Sequence, residues 1–305
     1  MLTAAQGSFS PEQVPAEELA NSVVHLKHAG RVRACCGLDG SCLATASGGN
    51  VHYWDGAVAN GHDVSVKQSL RSISLGHMLG EVQTLSGTAA SSDGTQVPVL
   101  AAGTAPMKQA RRSSSGVTSS TAPGAIAMLD PRTSGSTVGA LVGHTNTVWQ
   151  VRNSSDWPQL VCSASADGSA KVWDVRTRQV LYTVHSGGHR GGIRRCTFLG
   201  EGQQQGQLSI VTGGFDTTIR VHSFASGGVT TSADVAGRGT DFDPKPQSRL
   251  LARLGGYCFG LDATKHWIVA GAGNPDYGVS LWGPWDSQIL PHELDHAQKL
   301  LGKFW

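Results

Sequence analysis

Apolar and polar residues alternate with a period of two between residues 143 and 176. The strand-like runs there are short, as in Leu160–Ala166 and Ser169–Trp173. Asp167-Gly168 lies between these two runs, and this dipeptide favours the two-residue turn of a β-hairpin. The pattern therefore predicts short, half-buried antiparallel strands joined by tight turns.

The same pattern recurs at four other places along the chain. The first unit opens at His28 and has Asn50 near the position of the turn aspartate. The fourth unit opens at His189 and has His222 where the third unit has Trp173. The other two units are recognised mainly by their place in the series and span residues 76–132 and 255–282.

These five units resemble WD repeats, in which a Gly-His opens the unit and a Trp-Asp closes its third strand. The resemblance implies an all-β fold, a β-propeller of four-stranded blades. It also implies a buried network in each good repeat that joins a histidine, a strand hydroxyl, the turn aspartate and the closing tryptophan. The implied structural tetrad residues are His144, Ser163, Asp167 and Trp173 in the third unit and His189, Thr212 and Asp216 in the fourth. Because such networks recur with the repeat, we interpret them as structural and predict no catalytic, cofactor-binding or metal-binding residue.

The repeat boundaries predict three regions. These are an N-terminal extension (1–21), a propeller (22–285, with insert loops near 104–123 and 225–248) and a C-terminal tail (286–305). WD propellers more often have seven blades, so five units indicate either a small or degenerate ring or an open propeller that a partner completes. Ser22–Lys27 resembles the lead strand that closes the ring in this family, and we expect Val23–Leu26 within it to pair beside Val279–Trp282.

Composition agrees with a fold of many turns and adds limits on function. The 305 residues include 40 glycines, and the formal net charge is only +2, so nucleic acid is expected to associate indirectly if at all. Six cysteines occur without a Cys-x-x-Cys pair, and their strand-like neighbours suggest buried free thiols. With no signal-like N-terminus and no long apolar stretch, we expect an intracellular protein of the cytoplasm or nucleus that does not enter a membrane.

The tail contains the pattern His-Glu-x-x-His, from His292 to His296, which is typical of zinc proteases. No His, Asp, Glu or Cys follows His296 to act as a third ligand, so we predict an amphipathic helix instead of a metal site. Its apolar stripe comprises Leu290, Leu294, Ala297, Leu301 and Phe304.

Two further motifs suggest interactions. Arg111-Arg112 precedes Ser113-Ser114 in a polar loop, a pattern that makes Ser114 a candidate phosphorylation site. Trp173-Asp174-Val175-Arg176 resembles the box with which some WD proteins bind the adaptor of cullin-RING ubiquitin ligases. On that interpretation Trp173, Asp174 and Arg176 would contact the adaptor.

Propellers act through loops that converge on their rims and central channel, and the sequence shows no catalytic motif beside them. We therefore expect a non-enzymatic scaffold without cofactor, a WD-repeat subunit of a multiprotein complex whose partners are other proteins. A substrate receptor of a ubiquitin ligase is the first alternative, and an RNA-associated WD subunit is the second.

Overall fold

The computed structural model describes residues 26–38, 42–55, 71–87, 99–103, 124–130, 137–185, 189–200, 208–224, 246–264, 266–275 and 277–283. These residues form five antiparallel sheets in chain order, which confirms the predicted WD-repeat propeller. The short helix in the described part is a single turn, α1 (Gly76–Leu79). None of the helices there is both long and apolar enough to cross a membrane.

Each sheet is one blade, and its first strand lies innermost. Blade 1 contains β1 (Val32–Gly37), β2 (Cys42–Ser47), β3 (Asn50–Asp55) and β4 (Arg71–Ser74). Blade 2 contains β5 (Val82–Ser86), β6 (Val99–Gly103), β7 (Ile126–Leu129) and β8 (Thr137–Leu141). Blade 3 contains β9 (Val148–Asn153), β10 (Leu160–Ser165), β11 (Ser169–Asp174) and β12 (Gln179–His185).

The last two blades continue the series. Blade 4 contains β13 (Ile193–Phe198), β14 (Leu208–Gly214), β15 (Thr218–Phe224) and β16 (Gln247–Arg253). Blade 5 contains β17 (Gly256–Ala263), β18 (Ile268–Pro275) and β19 (Gly278–Trp282), with no fourth strand among the described residues. The insert predicted near 225–248 is too long by two residues, because β16 begins at Gln247 and pairs with β15.

The core lies between neighbouring blades, because each sheet has an apolar face on both sides. Between blades 3 and 4, for example, the rings of Tyr182 and Phe224 stack with their centroids 4.3 Å apart. Similar apolar clusters fill the interfaces between blades 1 and 2, 2 and 3, and 4 and 5. A blade on its own would expose these faces, so stacking supplies much of the stability of the fold.

The inner strands pack against one another in chain order, β1 on β5, β5 on β9, β9 on β13 and β13 on β17. Among the described residues, β17 and β1 do not form a comparable contact. β19 exposes Val279 and Leu281 by 72% and 48%. Of the predicted closing strand Ser22–Lys27, only Leu26 and Lys27 belong to the described residues. Closure of the ring by this strand therefore stays a prediction.

All six cysteines are free thiols, but not all of them are buried as predicted. Cys162, Cys196 and Cys258 lie in the core, whereas Cys35 is exposed on β1. Cys35 lies on the innermost strand of its blade, where alternate side chains point towards the central channel.

Candidate functional site

Blade 3 brings the four predicted tetrad residues into one hydrogen-bonded network. The indole Nε1 of Trp173 donates to Ser163 Oγ at 2.8 Å. Ser163 Oγ lies 2.7 Å from His144 Nε2, and His144 Nδ1 lies 2.8 Å from Asp167 Oδ2. Since a carboxylate only accepts, Nδ1 carries the imidazole proton and Nε2 accepts from the serine hydroxyl.

Burial sets the charge of this network. Desolvation lowers the pKa of His144 despite the neighbouring carboxylate, so the ring is neutral at pH 7. Burial alone would raise the pKa of Asp167, but hydrogen bonds from His144 and Ser169 bring that pKa well below its usual range. Asp167 is therefore ionised at the edge of the blade, where it accepts hydrogen bonds from both side chains and from the backbone N–H of Thr145.

Ser163, His144 and Asp167 have the connectivity of a Ser-His-Asp catalytic triad, but a substrate has no access to them. Ser163 is fully buried, and its oxygen already accepts the indole N–H of Trp173. A nucleophile needs an exposed oxygen and a space beside it for the reacting carbonyl. The arrangement is a structural connector between strands.

Blade 4 contains the same network with a different closing residue. His189 Nδ1 lies 2.9 Å from Asp216 Oδ1, and His189 Nε2 lies 2.7 Å from Thr212 Oγ1. His222 occupies the position of the tryptophan, with Nε2 2.7 Å from the same threonine oxygen and Nδ1 2.7 Å from Ser248 Oγ. The threonine hydroxyl donates to His189, so His222 Nε2–H must donate to Thr212 and the serine hydroxyl must donate to Nδ1.

Blade 1 has only part of the network. His28 Nε2 lies 3.2 Å from Thr45 Oγ1, which also accepts the indole N–H of Trp54 at 2.7 Å. His28 Nδ1 is buried without a hydrogen-bond partner, so Asn50 does not replace the turn aspartate. The blade 1 network therefore leaves one imidazole nitrogen unpaired, whereas the networks of blades 3 and 4 pair both nitrogens of their opening histidines.

The Trp-Asp-x-Arg box extends from the core to the rim of blade 3 that lies opposite the Asp167-Gly168 turn. Trp173 is fully buried, Asp174 is nearly so, and 57% of the Arg176 side chain is exposed. Arg176 Nη2 donates to Asp174 Oδ2 at 3.1 Å, and Arg176 Nε donates to Asp174 Oδ1 at 3.3 Å. Arg176 alone of the three is therefore available to a partner, and its own chain already binds it.

Several predicted sites lie outside the described residues. These are the candidate phosphorylation site Ser114, the pattern His292–His296 and the C-terminal amphipathic helix. Within the described part, no group of three or more His, Cys, Asp or Glu side chains is arranged to hold a metal ion.

A central cavity of about 350 Å³ is lined by residues of all five inner strands. Three arginines contribute to its wall: Arg33 on β1, Arg152 on β9 and Arg195 on β13. Arg33 forms a bidentate ion pair with Glu81, and Arg195 donates to the Phe259 carbonyl at 2.6 Å. Arg152 forms no ion pair with any residue that the structure describes, so the channel has a positive wall.

One mouth of this channel carries what we call the aromatic–arginine cluster, defined as Trp149, Arg194, Phe215, Tyr257 and Phe259. The guanidinium carbon of Arg194 lies 4.4 Å from the ring centroid of Phe259, 5.0 Å from that of Trp149 and 5.4 Å from that of Phe215. Burial lowers the pKa of Arg194, which remains charged at neutral pH. Tyr257 and Phe259 remain 37% and 43% exposed, so aromatic surface faces solvent at the mouth.

Next to this cluster lies what we call the arginine pocket, a cavity of about 270 Å³ lined by Arg190, Asp216, Thr218, Arg220 and Arg253. All five residues belong to blade 4 and lie on the rim that carries the β14–β15 turn. Neither feature follows from the sequence, because the three arginines come from separate segments with no regular spacing. The resemblance to WD repeats indicates only that such rims carry function.

The comparisons with known proteins agree with this geometry. The family model of the WD domain, G-beta repeat, matches residues 135–174 and 178–223. Each matched segment begins with the outer strand of one blade and continues into the inner strands of the next, which ties neighbouring blades together. The chain therefore contains WD repeats and has the β-propeller fold.

Its curated relatives are ribosome biogenesis proteins. It is 36% identical over 104 residues to ribosome biogenesis protein YTM1 of Meyerozyma guilliermondii, which covers 33% of this chain and 21% of the relative. It is 30% identical over 102 residues to the WDR12 homolog of Dictyostelium discoideum, which covers 32% and 22%. The match therefore spans about a fifth of the length of these relatives.

Solved structures show the same fold. The WD40 repeats of RRP9 superpose with a TM-score of 0.56 at 17% identity, over 86% of this chain and 62% of that one. Identity at this level shows a shared propeller architecture, because fold alone does not specify function.

Proposed function

We propose that this chain is a non-catalytic WD-repeat subunit of a protein–RNA assembly that acts in ribosome biogenesis. The observation that carries the proposal is the 36% identity over 104 residues to a ribosome biogenesis protein of the same repeat family. Protein partners dock on the rims, and the chain works within the cell where ribosomal precursors are assembled.

The geometry favours a scaffold over an enzyme. The His, Ser, Thr and Asp side chains that could perform acid–base chemistry in blades 3 and 4 are engaged in buried networks. Burial raises the pKa of the Cys258 thiol to about 12, so this thiol is not an activated nucleophile. The rim of blade 4 presents arginines and aromatic rings, which are groups that bind partners.

This interpretation favours the hypothesis of an RNA-associated subunit, which ranked last of the three functions when only the near-neutral net charge was considered. Net charge averages over the whole chain, whereas Arg190, Arg194, Arg220 and Arg253 all lie in blade 4, towards the rim that carries the β14–β15 turn. A local concentration of arginine on one rim can attract a polyanion although the chain as a whole is almost neutral.

Sedimentation of the tagged chain from cells that express it tests the proposal. We expect the chain to travel with pre-ribosomal particles in a sucrose gradient, together with precursor rRNA and other assembly proteins. Its depletion should cause precursor rRNA to accumulate. A chain that sediments only as a free protein, and whose loss leaves rRNA processing unchanged, would contradict the proposal.

The ubiquitin-ligase alternative depends on Arg176, whose exposure on the opposite rim is the observation in its favour. On that hypothesis Arg176→Ala would remove a cullin-RING adaptor from the purified complexes and leave the gradient position unchanged. The scaffold proposal expects no adaptor to copurify with either chain.

A further inference from the structure

Three guanidinium groups meet in the arginine pocket without carboxylate partners. Arg190 lies just before β13, Arg220 lies on β15, and Arg253 ends β16. No described residue forms an ion pair with any of the three. Arg220 Nε is buried and has no hydrogen-bond partner in the described part of the chain. Buried donors of this kind are unfavourable unless an acceptor occupies the pocket.

The single acid in the pocket does not neutralise these charges, because its oxygens are already committed. Asp216 Oδ1 lies 2.9 Å from His189 Nδ1 and accepts from Thr218 Oγ1 at 2.9 Å. Asp216 Oδ2 accepts from the Arg190 backbone N–H at 2.8 Å. The carboxylate thus belongs to the blade 4 network, and the pocket keeps an excess of positive charge. Converging guanidinium donors suit the several oxygens of a phosphate group.

The pocket and the aromatic–arginine cluster are adjacent. Phe215 belongs to the cluster and Asp216 to the pocket, so the two features share the β14–β15 turn. Tyr257 packs against Phe215, with ring centroids 5.6 Å apart, and extends the aromatic surface towards blade 5. A ligand on this rim therefore meets a phosphate-binding pocket at one end and exposed rings at the other.

We propose that this rim of blade 4 binds single-stranded RNA, with a backbone phosphate in the arginine pocket and a base stacked on Tyr257 and Phe259. The proposal rests on the proposed function and deepens it by naming the surface that meets RNA. Proteins that bind single strands combine a cationic track with aromatic stacking surfaces, and both are present here. A phosphorylated side chain would use the pocket but would leave the neighbouring rings without a role.

Fluorescence anisotropy with a labelled oligouridine of about 12 nucleotides tests the proposal on the full chain. The pocket variant is Arg190→Gln with Arg253→Gln, both exposed side chains, and the stacking variant is Tyr257→Ala. Arg176→Gln is the control for location, because it removes one exposed arginine charge from the opposite rim. Unchanged melting temperatures would establish that the variants fold.

The wild-type chain should bind with an affinity that falls as salt rises from about 50 to 200 mM. The pocket variant should bind about tenfold more weakly, and its slope of log affinity against log salt should be shallower by about 0.7, the value for one lost phosphate contact. Tyr257→Ala should weaken binding about fivefold or more without changing this slope. Arg176→Gln should behave as wild type.

Three results would overturn the proposal. They are no binding of oligouridine by the wild-type chain, a loss of affinity in Arg176→Gln as large as that in the pocket variant, or equal affinities of the pocket variant and the wild type. Preferential binding of a phosphoserine peptide over oligouridine would also overturn it. A chain that sediments with pre-ribosomal particles but fails these tests keeps the proposed function and loses this site. If the chain binds oligouridine through the pocket but sediments alone, the RNA site is supported and the role in ribosome biogenesis is contradicted.

Discussion

Blades 3 and 4 carry the same network with different closing residues, Trp173 on β11 and His222 on β15. Both side chains are fully buried, and each donates to a strand hydroxyl, Ser163 or Thr212. An indole has one polar atom, which this hydrogen bond satisfies. An imidazole has two, so His222 needs a second partner that Trp173 does not.

The second partner comes from the outer strand. His222 faces Ser248 across the β15–β16 pairing, whereas Trp173 faces Val180 across the β11–β12 pairing. Ser248 Oγ lies 2.7 Å from His222 Nδ1. The closing residue and its cross-strand neighbour therefore form a matched pair, Trp with Val in one blade and His with Ser in the other. The network tolerates a change at one position because the other position has changed with it.

The largest test of this comparison is Trp173→His. The change removes most of a buried indole and places an imidazole nitrogen beside Val180, where it has no partner. We expect the free energy of unfolding to fall by about 3 kcal/mol, from the cavity and the unpaired nitrogen together. Urea unfolding followed by circular dichroism measures it.

The matched control is Trp267→His, the same replacement at a residue that is 39% exposed. It should cost about 1 kcal/mol, because less of this indole is buried than of Trp173. Equal losses at the two positions would show that the blade 3 network adds nothing beyond the size of the side chain.

Acid should affect blade 4 more than blade 3. Burial, followed by the nearby His189 and Arg220, lowers the pKa of His222 from 6.5 to about 3. Between these values the unfolded chain binds a proton that the folded chain does not. The stabilisation by neutral His222 is thus fully present above about pH 6.5. As the pH decreases below that value, it is lost by up to about 1.4 kcal/mol per pH unit.

His222→Gln removes this titration and keeps one donor and one acceptor in the pocket between Thr212 and Ser248. Between pH 7 and pH 5, the free energy of unfolding should fall by about 2 kcal/mol less in this variant than in the wild type. Urea unfolding at the two pH values measures the difference. His185→Gln, at an exposed histidine, should keep the wild-type dependence. An unchanged pH profile in His222→Gln would mean that His222 is protonated or hydrated in the folded chain.

The sequence was sufficient for the parts of this comparison that lie close together along the chain. Asp167-Gly168 and Trp173 fall within one hairpin, and Gly168 has the positive φ of 84° that a tight turn favours. Thr217 has a φ of 65° at the corresponding turn of blade 4, a strained conformation that no turn propensity predicts. The WD resemblance pointed to His189, Thr212 and Asp216, and it flagged His222 as a departure that required a new arrangement.

Ser248 could not be predicted, because it follows His222 by 26 residues and was assigned to an insert. The arginine pocket escaped prediction for the same physical reason. Arg190, Arg220 and Arg253 become neighbours only when three strands of one blade align, and isolated arginines in a sequence usually indicate a solvated surface. Local turns and repeats were readable, whereas contacts that depend on strand register across long separations were not.

The finest test asks whether the cross-strand partner alone converts one network into the other. In the Trp173→His chain, Val180→Ser places a hydroxyl where blade 4 has Ser248, and it should restore about 1 kcal/mol of stability. In the wild-type chain the same Val180→Ser has no imidazole to bind and removes apolar contact with the indole, so it should cost about 1 kcal/mol. The two effects have opposite sign, and the coupling energy of the double-mutant cycle should be about 2 kcal/mol. Strictly additive losses would mean that Ser248 accompanies His222 without supporting it, and that blade 4 owes its stability to packing such as that of Phe224 against Tyr182 of blade 3 instead.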